Sequence, residues 1–182
     1  GMKAFKKFGP FAYTAKLRNG LFRNTGACLS PQNAFYNSIG METLGIRMER
    51  ICSNAKKLAE FFSSEYKDIT VNYPGLKSSR WHDIATAQFG GNAGGIITIR
   101  TGSKAKAFAI INALKLPLIV SNIGDTKTLV IHPESTLNVH STEEEKKTAG
   151  VFDDLIRISV GIEDIEDLIG DFRQAIKTAE NI

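Results

Sequence analysis

Arg157 is the residue of this sequence that most demands a chemical explanation. It sits inside Leu155-Ile156-Arg157-Ile158-Ser159-Val160, a run that reads as a strand. On a strand it shares a face with Leu155 and Ser159, opposite Ile156 and Ile158. A guanidinium there can lie exposed, pair with an acid across the sheet, or offer its planar fork to a carboxylate or phosphate. The strand pattern alone favours a structural use and leaves the choice open.

The other reactive residue types are scattered. His82 falls in a weak helix, His132 precedes Pro133 at a strand exit, and His140 precedes a helix cap. No His-x-x-x-His or Cys-x-x-Cys pair occurs, which argues against a metal site. Cys28 and Cys52 are 24 positions apart without histidine or a basic cluster to activate them, so both read as ordinary reduced thiols of a cytoplasmic protein. Gly90, Gly91, Gly94 and Gly95 precede a strand, whereas a phosphate loop needs its glycines between a strand and a helix. They predict a tight bend instead.

The elements that must carry Arg157 are legible from periodicity. Phe11, Ala15, Arg18 and Phe22 share one side of a short helix ended by Gly26. Ser30-Pro31 opens another, running to about Ile39 and loosened at Gly40. Leu44, Met48, Ile51, Ala55, Leu58 and Phe62 then form one apolar stripe over a longer helix. Ile69, Val71 and Tyr73 alternate as a strand stopped by Pro74-Gly75; 82–89 is a short helix and Ile96 to Arg100 a strand. Ser103 caps a helix with Ala107, Phe108, Ile111 and Leu114 inside. Leu118 to Val120 and Leu129 to Ile131 are strands flanking the polar loop Ser121-Asn122-Ile123-Gly124-Asp125. Ser141 and Glu144 predict a capping box for a short acidic helix closed by Gly150. After the Arg157 strand, Ile162, Ile165, Ile169, Phe172 and Ile176 line a final helix. About five strands and four helices from residue 67 onward predict an α+β (two-layer α/β) fold, helices mostly on one face of the sheet, preceded by a long helical arm.

Length and composition set outer limits. A chain of 182 residues with 42% hydrophobic and 23% charged residues is a globular protein of one full or two small domains. The apolar run 116–123 is too short to cross a bilayer, and the stretch after Lys3, Lys6 and Lys7 lacks a secretory signal core. Residues 1–60 hold ten Lys/Arg against three acids, and the last twenty hold six acids against two bases. The basic residues are spread around helical faces without stacking aromatics, so a solvated surface is favoured over nucleic-acid binding.

Several stretches occurring in one order carry more information than any element. They are Leu29-Ser30-Pro31-Gln32-Asn33-Ala34-Phe35, Gly40-Met41-Glu42-Thr43-Leu44 with Arg47-Met48-Glu49-Arg50, and Tyr73-Pro74-Gly75-Leu76. They continue with Asn122-Ile123-Gly124-Asp125, Leu129-Val130-Ile131-His132-Pro133, and Leu155-Ile156-Arg157-Ile158-Ser159-Val160-Gly161-Ile162-Glu163-Asp164. Together, from about Gly9 onward, they resemble the C-terminal part of the Cys/Met-metabolism pyridoxal-phosphate enzymes, and within them the O-acetylhomoserine sulfhydrylases.

That resemblance implies the small C-terminal domain of a fold-type-I transferase, with a mostly antiparallel sheet. It implies a division into residues 1–66, a helical arm ending the large domain, and residues 67–182, the substrate-carboxylate-binding domain. Family enzymes replace the acetoxy group of O-acetylhomoserine with sulfide or a thiol, in methionine and homocysteine biosynthesis, and act as homo-oligomers. By the same resemblance Arg157 clamps the amino acid's α-carboxylate and Asn122 helps hold it, which reverses the structural preference drawn from the strand alone.

The family's Schiff-base lysine lies in a large-domain Thr-Lys motif, together with its phosphate loop, ring-stacking aromatic and pyridine-nitrogen aspartate. None of that sequence is here, and Thr126-Lys127 belongs to a strand-connecting loop. The expectation is therefore a chain without bound pyridoxal phosphate, inactive alone, whose partner is a separate or missing cofactor-binding large domain. After Ser135-Thr136 the family usually continues Thr-His where this chain has Leu137-Asn138, a departure in the segment that lines the entry to the site in the family. Met2 after Gly1 reads as a native start behind a one-residue scar, with a cut fragment as the alternative. From a different class, the reading is a non-catalytic, self-associating interaction domain, or a truncated relic of a related γ-synthase or γ-lyase.

Overall fold

A computed structural model describes residues 2–180. Its contacts divide the chain between Thr43 and Leu44 into two compact units. The first is helical: α1 (Met2–Phe8), a 3-10 turn (Gly9–Phe11), α2 (Ala12–Leu17), a π turn (Arg18–Phe22), α3 (Arg23–Thr25) and, after an extended stretch, α4 (Pro31–Glu42). Gly26 ends α3 as expected, at φ +61°, its N–H donating to the Phe22 carbonyl. Ser30 caps α4, accepting the Asn33 amide at 3.2 Å. Gly40 does not end α4: a lone helical glycine costs only about 1 kcal/mol, and the helix continues until Thr43 leaves helical geometry. No described side chain of this unit is buried.

The second unit contains the sheet. In chain order it is α5 (Leu44–Glu65), β1 (Thr70–Asn72), α6 (His82–Phe89), β2 (Ile96–Arg100), α7 (Lys104–Ala113), β3 (Leu118–Ile119), β4 (Leu129–Ile131), α8 (Glu143–Ala149), β5 (Leu155–Ser159) and α9 (Ile165–Ala179). The strands are ordered β1-β2-β5-β4-β3, antiparallel except for β3 with β4. This is the α+β architecture that the alternation from residue 67 predicts.

One sheet face is apolar. Ile97 and Ile99 of β2, Ile156 and Ile158 of β5 and Val130 of β4 pack with Leu58 and Phe62 of α5, Ile110 of α7, and Leu168, Phe172 and Ile176 of α9. Phe62 and Phe172 meet edge to face at 5.2 Å between ring centres. Each such buried side chain stabilises the fold by about 1.5–3 kcal/mol. Arg157 stands on the opposite face of central strand β5, and it is the one β5 residue that is not buried.

Packing corrects several predicted positions. Leu44 and Met48 are exposed, so the α5 stripe is covered only from Ile51 to Phe62. On α7 the core takes Ile110, and Phe108 lies at the edge, stacked on His132 at 4.7 Å. Ile162 is exposed ahead of α9, and Leu168 takes the inner place. The capping box is Thr142 with Glu145, one residue later than Ser141 with Glu144. β3 and β5 each stop short of Val120 and Val160.

Candidate functional site

The β4–β5 register fixes where Arg157 points. Arg157 lies opposite Ile131 on one side and Thr98 on the other. Its guanidinium reaches the loop between β3 and β4, where Nη2 donates to the Ser121 carbonyl at 3.1 Å and the Asn122 carbonyl at 3.3 Å. Asn122 therefore meets Arg157 through its backbone oxygen, and its side chain is on the exposed loop. The Arg157 Nε–H is buried without a partner. No carboxylate pairs with this arginine among the described residues.

Burial alone pulls the Arg157 proton affinity below that of a free guanidinium. The group still carries its charge at any ordinary pH. A partly buried cation held by two neutral carbonyls, with no acid partner among the described residues, can receive an anion. An incoming carboxylate would supply the acceptors that the protein does not.

The same loop is fastened at further points. Ser159 Oγ accepts the Gly124 amide at 3.2 Å, and the Ile162 amide donates to the Thr126 carbonyl at 2.9 Å. Glu163 takes both the amide and the hydroxyl of Thr128, while the Thr128 Oγ1 accepts the Gly161 amide at 2.9 Å. From the helix side, buried Asn54 donates to the carbonyls of Gly161 at 3.1 Å and Glu163 at 2.8 Å. Thr128 and Asn54 have no place in the motif reading. Asn54 could have been found as a polar residue on the inner side of α5, between Ile51 and Leu58.

The other singled-out residues are elsewhere. His132 is buried; its Nε2 lies 2.7 Å from the Asp153 carbonyl and its Nδ1 takes the Ser135 amide at 3.2 Å, which makes it an Nε2–H tautomer bracing the strand exit. His82 opens α6, with its Nδ1 buried and unpartnered. Cys28 is exposed and Cys52 buried, both as free thiols. No cluster of metal-ligating side chains forms among the described residues. A cavity of about 510 Å³ lies against β1 and β2, lined by Asn72, Thr98, Arg100, Trp81 and Phe152, and Thr98 is the cross-strand neighbour of Arg157.

The model of the Cys/Met metabolism PLP-dependent enzyme family matches residues 7–177. This chain belongs to that family. It is 42% identical over 172 residues to the O-acetyl-L-homoserine sulfhydrylase of Corynebacterium glutamicum, covering 94% of this chain and 39% of the relative. The solved O-acetylhomoserine sulfhydrylase of Wolinella succinogenes superposes with a TM-score of 0.77 at 37% identity, over 96% of this chain and 47% of that one. Yeast cystathionine gamma-lyase superposes with a TM-score of 0.79 at 34% identity, over 86% and 40%. The chain thus spans less than half the length of these relatives and corresponds to a partial domain of a family member.

The lysine of the Thr126-Lys127 pair does not make a pyridoxal-phosphate site, and neither do its described neighbours on β4, α7 and α8. Lys127 is exposed on its loop, Lys104 and Lys146 are paired with Glu134, and Lys106 with Asp68. None of these amines is aimed into a pocket with a phosphate cradle beside it. No helix among the described residues is long and apolar enough to cross a membrane.

Proposed function

We propose that this chain is the substrate-carboxylate-binding part of an O-acetylhomoserine sulfhydrylase-like enzyme. Residues 67–182 form that domain, and residues 1–66 are the arm before it, whose last helix α5 packs into the same core as the sheet. Arg157 grips the α-carboxylate of an amino acid such as O-acetylhomoserine, and Asn122 borders the same anion. The large domain with its pyridoxal phosphate resides on the part of the enzyme this chain lacks, in a cytoplasmic homo-oligomer. The observation that carries the reading is the Arg157 guanidinium, half-buried, held by two carbonyls and without an acid partner among the described residues.

The test is reconstitution with a family large-domain polypeptide and pyridoxal phosphate, following sulfide-dependent loss of O-acetylhomoserine. Turnover that needs both polypeptides and disappears with Arg157→Ala is the expected outcome. Absence of turnover with a folded, cofactor-loaded partner overturns the reading.

A second reading, a self-associating interaction domain, is favoured by one observation. Phe11, Tyr13, Leu21, Phe35, Tyr36 and Met41 are all more than half exposed in a unit with no buried described side chain. The α5 stripe adds nothing to this reading, because Ile51 to Phe62 is covered by its own sheet. Light scattering decides: a monomer at high concentration removes this reading.

A further inference from the structure

The carboxylate clamp depends on a loop with no regular hydrogen-bonding ladder of its own. Residues 120–128 join β3 to β4, and within them Ser121 and Asn122 must keep their carbonyls on Arg157. What fixes the loop is a series of bonds from β5 and the residues after it. Arg157 holds residues 121 and 122, Ser159 holds Gly124, the Ile162 amide holds Thr126, and Glu163 holds Thr128. The last of these is charge-assisted and double, since one carboxylate receives both donors of a fully buried threonine.

Glu163 is itself anchored. Its carbonyl accepts from Asn54 and from Arg50 Nη2 at 3.3 Å, so α5 fixes the backbone from which the carboxylate projects. Thr128 passes the constraint on, because its hydroxyl oxygen accepts the Gly161 amide while its proton goes to Glu163. Without the carboxylate, the buried Thr128 amide and hydroxyl proton lose their acceptors, a condition that a loop relieves by moving.

We propose that Glu163 is a positioning residue for the anion site: acting through Thr128, it holds the 121–128 loop against the end of β5. The carbonyls of Ser121 and Asn122 then keep the Arg157 guanidinium aligned. No hydrogen bond joins Glu163 to Arg157 among the described residues, so its effect on the guanidinium passes through the loop. The inference rests on the carboxylate-clamp reading only for what the aligned arginine binds; the alignment itself is a property of this chain.

The experiment follows the Arg157 Nε–H and the amides of residues 121–124 by nitrogen-15 NMR in the full chain. Arg157→Lys assigns the arginine signal. Glu163→Gln is the main variant, Thr128→Val the second should the first fail to fold, and Thr128→Ser the conservative control that keeps both donors. Glu163→Gln and Thr128→Val are expected to shift or broaden the Arg157 and 121–124 signals, with the α7 and α9 amides in place. Thr128→Ser is expected to keep the parent pattern. An unmoved Arg157 signal in a folded variant overturns the proposal, even if that variant unfolds at a lower temperature. Titration of the parent chain with L-norleucine tests the clamp reading separately: a silent Arg157 there counts against carboxylate binding and leaves the positioning result standing.

Discussion

Gly161 lies so close to Thr126 that a Cβ carbon on it would stand 2.5 Å from the Thr126 carbonyl oxygen. It would also come within 2.6 Å of the Lys127 backbone. Neither neighbour is a flexible side-chain end, so the loop must move to admit a methyl group. Gly161→Ala should therefore cost about 1–3 kcal/mol, the range of overpacked sites. Gly170 in α9 is the internal contrast, since a Cβ there meets nothing within 4 Å. Gly170→Ala should stabilise the chain by about 0.5–1 kcal/mol, by the helix preference for alanine. Urea unfolding of both variants checks the opposite signs.

Arg157→Ala should leave stability within about 1 kcal/mol of the parent, because two hydrogen bonds to carbonyls are lost while a buried, unpartnered donor is removed. Its effect should fall on anion recognition instead. Arg157→Lys keeps a positive charge and loses the planar fork, so it should weaken carboxylate binding by roughly tenfold in the reconstituted enzyme. Calorimetry of binding, with thermal unfolding alongside, separates the two effects. A lysine variant that binds as tightly as the parent would remove the bidentate geometry from the argument.

Acid should loosen the turn after β4. The side-chain hydrogen bonds from Lys146 and Lys104 to Glu134 hold its carboxyl at about 2. A carboxyl lowered in the folded state contributes stability above its unfolded value, near 4.3–4.5. That contribution is lost as pH falls from there toward about 2. Glu134→Gln should flatten this part of the stability-versus-pH curve and leave the neutral limb parallel to that of the parent. The measurement is urea unfolding at a series of pH values between 2 and 7. Solvent access to the cluster keeps the effect modest and salt-sensitive.

The elements were legible where periodicity is strong and blurred where tertiary cover decides. The strand around Arg157 and the sequence Gly161-Ile162-Glu163 were visible in order, but the partners of that segment were not. Thr128, Asn54 and Glu163 are far apart in the chain, and only the β4–β5 register and the packing of α5 on the sheet bring them together. Asn122 illustrates a second limit: its side-chain type suggests an amide at the site, whereas the backbone oxygen makes the contact with Arg157. The apolar stripe of α5 gave the right helix and face, yet Leu44 and Met48 extend past the edge of the sheet unit's core. Periodicity cannot report where the covering layer ends.

The start of α8 shows how local chemistry can leave a one-residue ambiguity. Ser141 with Glu144 and Thr142 with Glu145 both fit a capping box by spacing. In the fold, Thr142 Oγ1 accepts the Glu145 amide at 3.3 Å, and the Glu145 carboxylate accepts the Thr142 amide at 2.8 Å. The Thr142 amide, and after it the Thr142 hydroxyl donating to the same carboxylate, hold the Glu145 carboxyl below the usual range. The Ser141 amide instead closes a turn onto the Asn138 carbonyl at 3.1 Å, before the helix begins. Thr142→Ala should accordingly cost about 1 kcal/mol, whereas Ser141→Ala should fall within about 0.5 kcal/mol of the parent. Equal losses in urea unfolding, or a larger loss at Ser141, would move the helix start back by one residue.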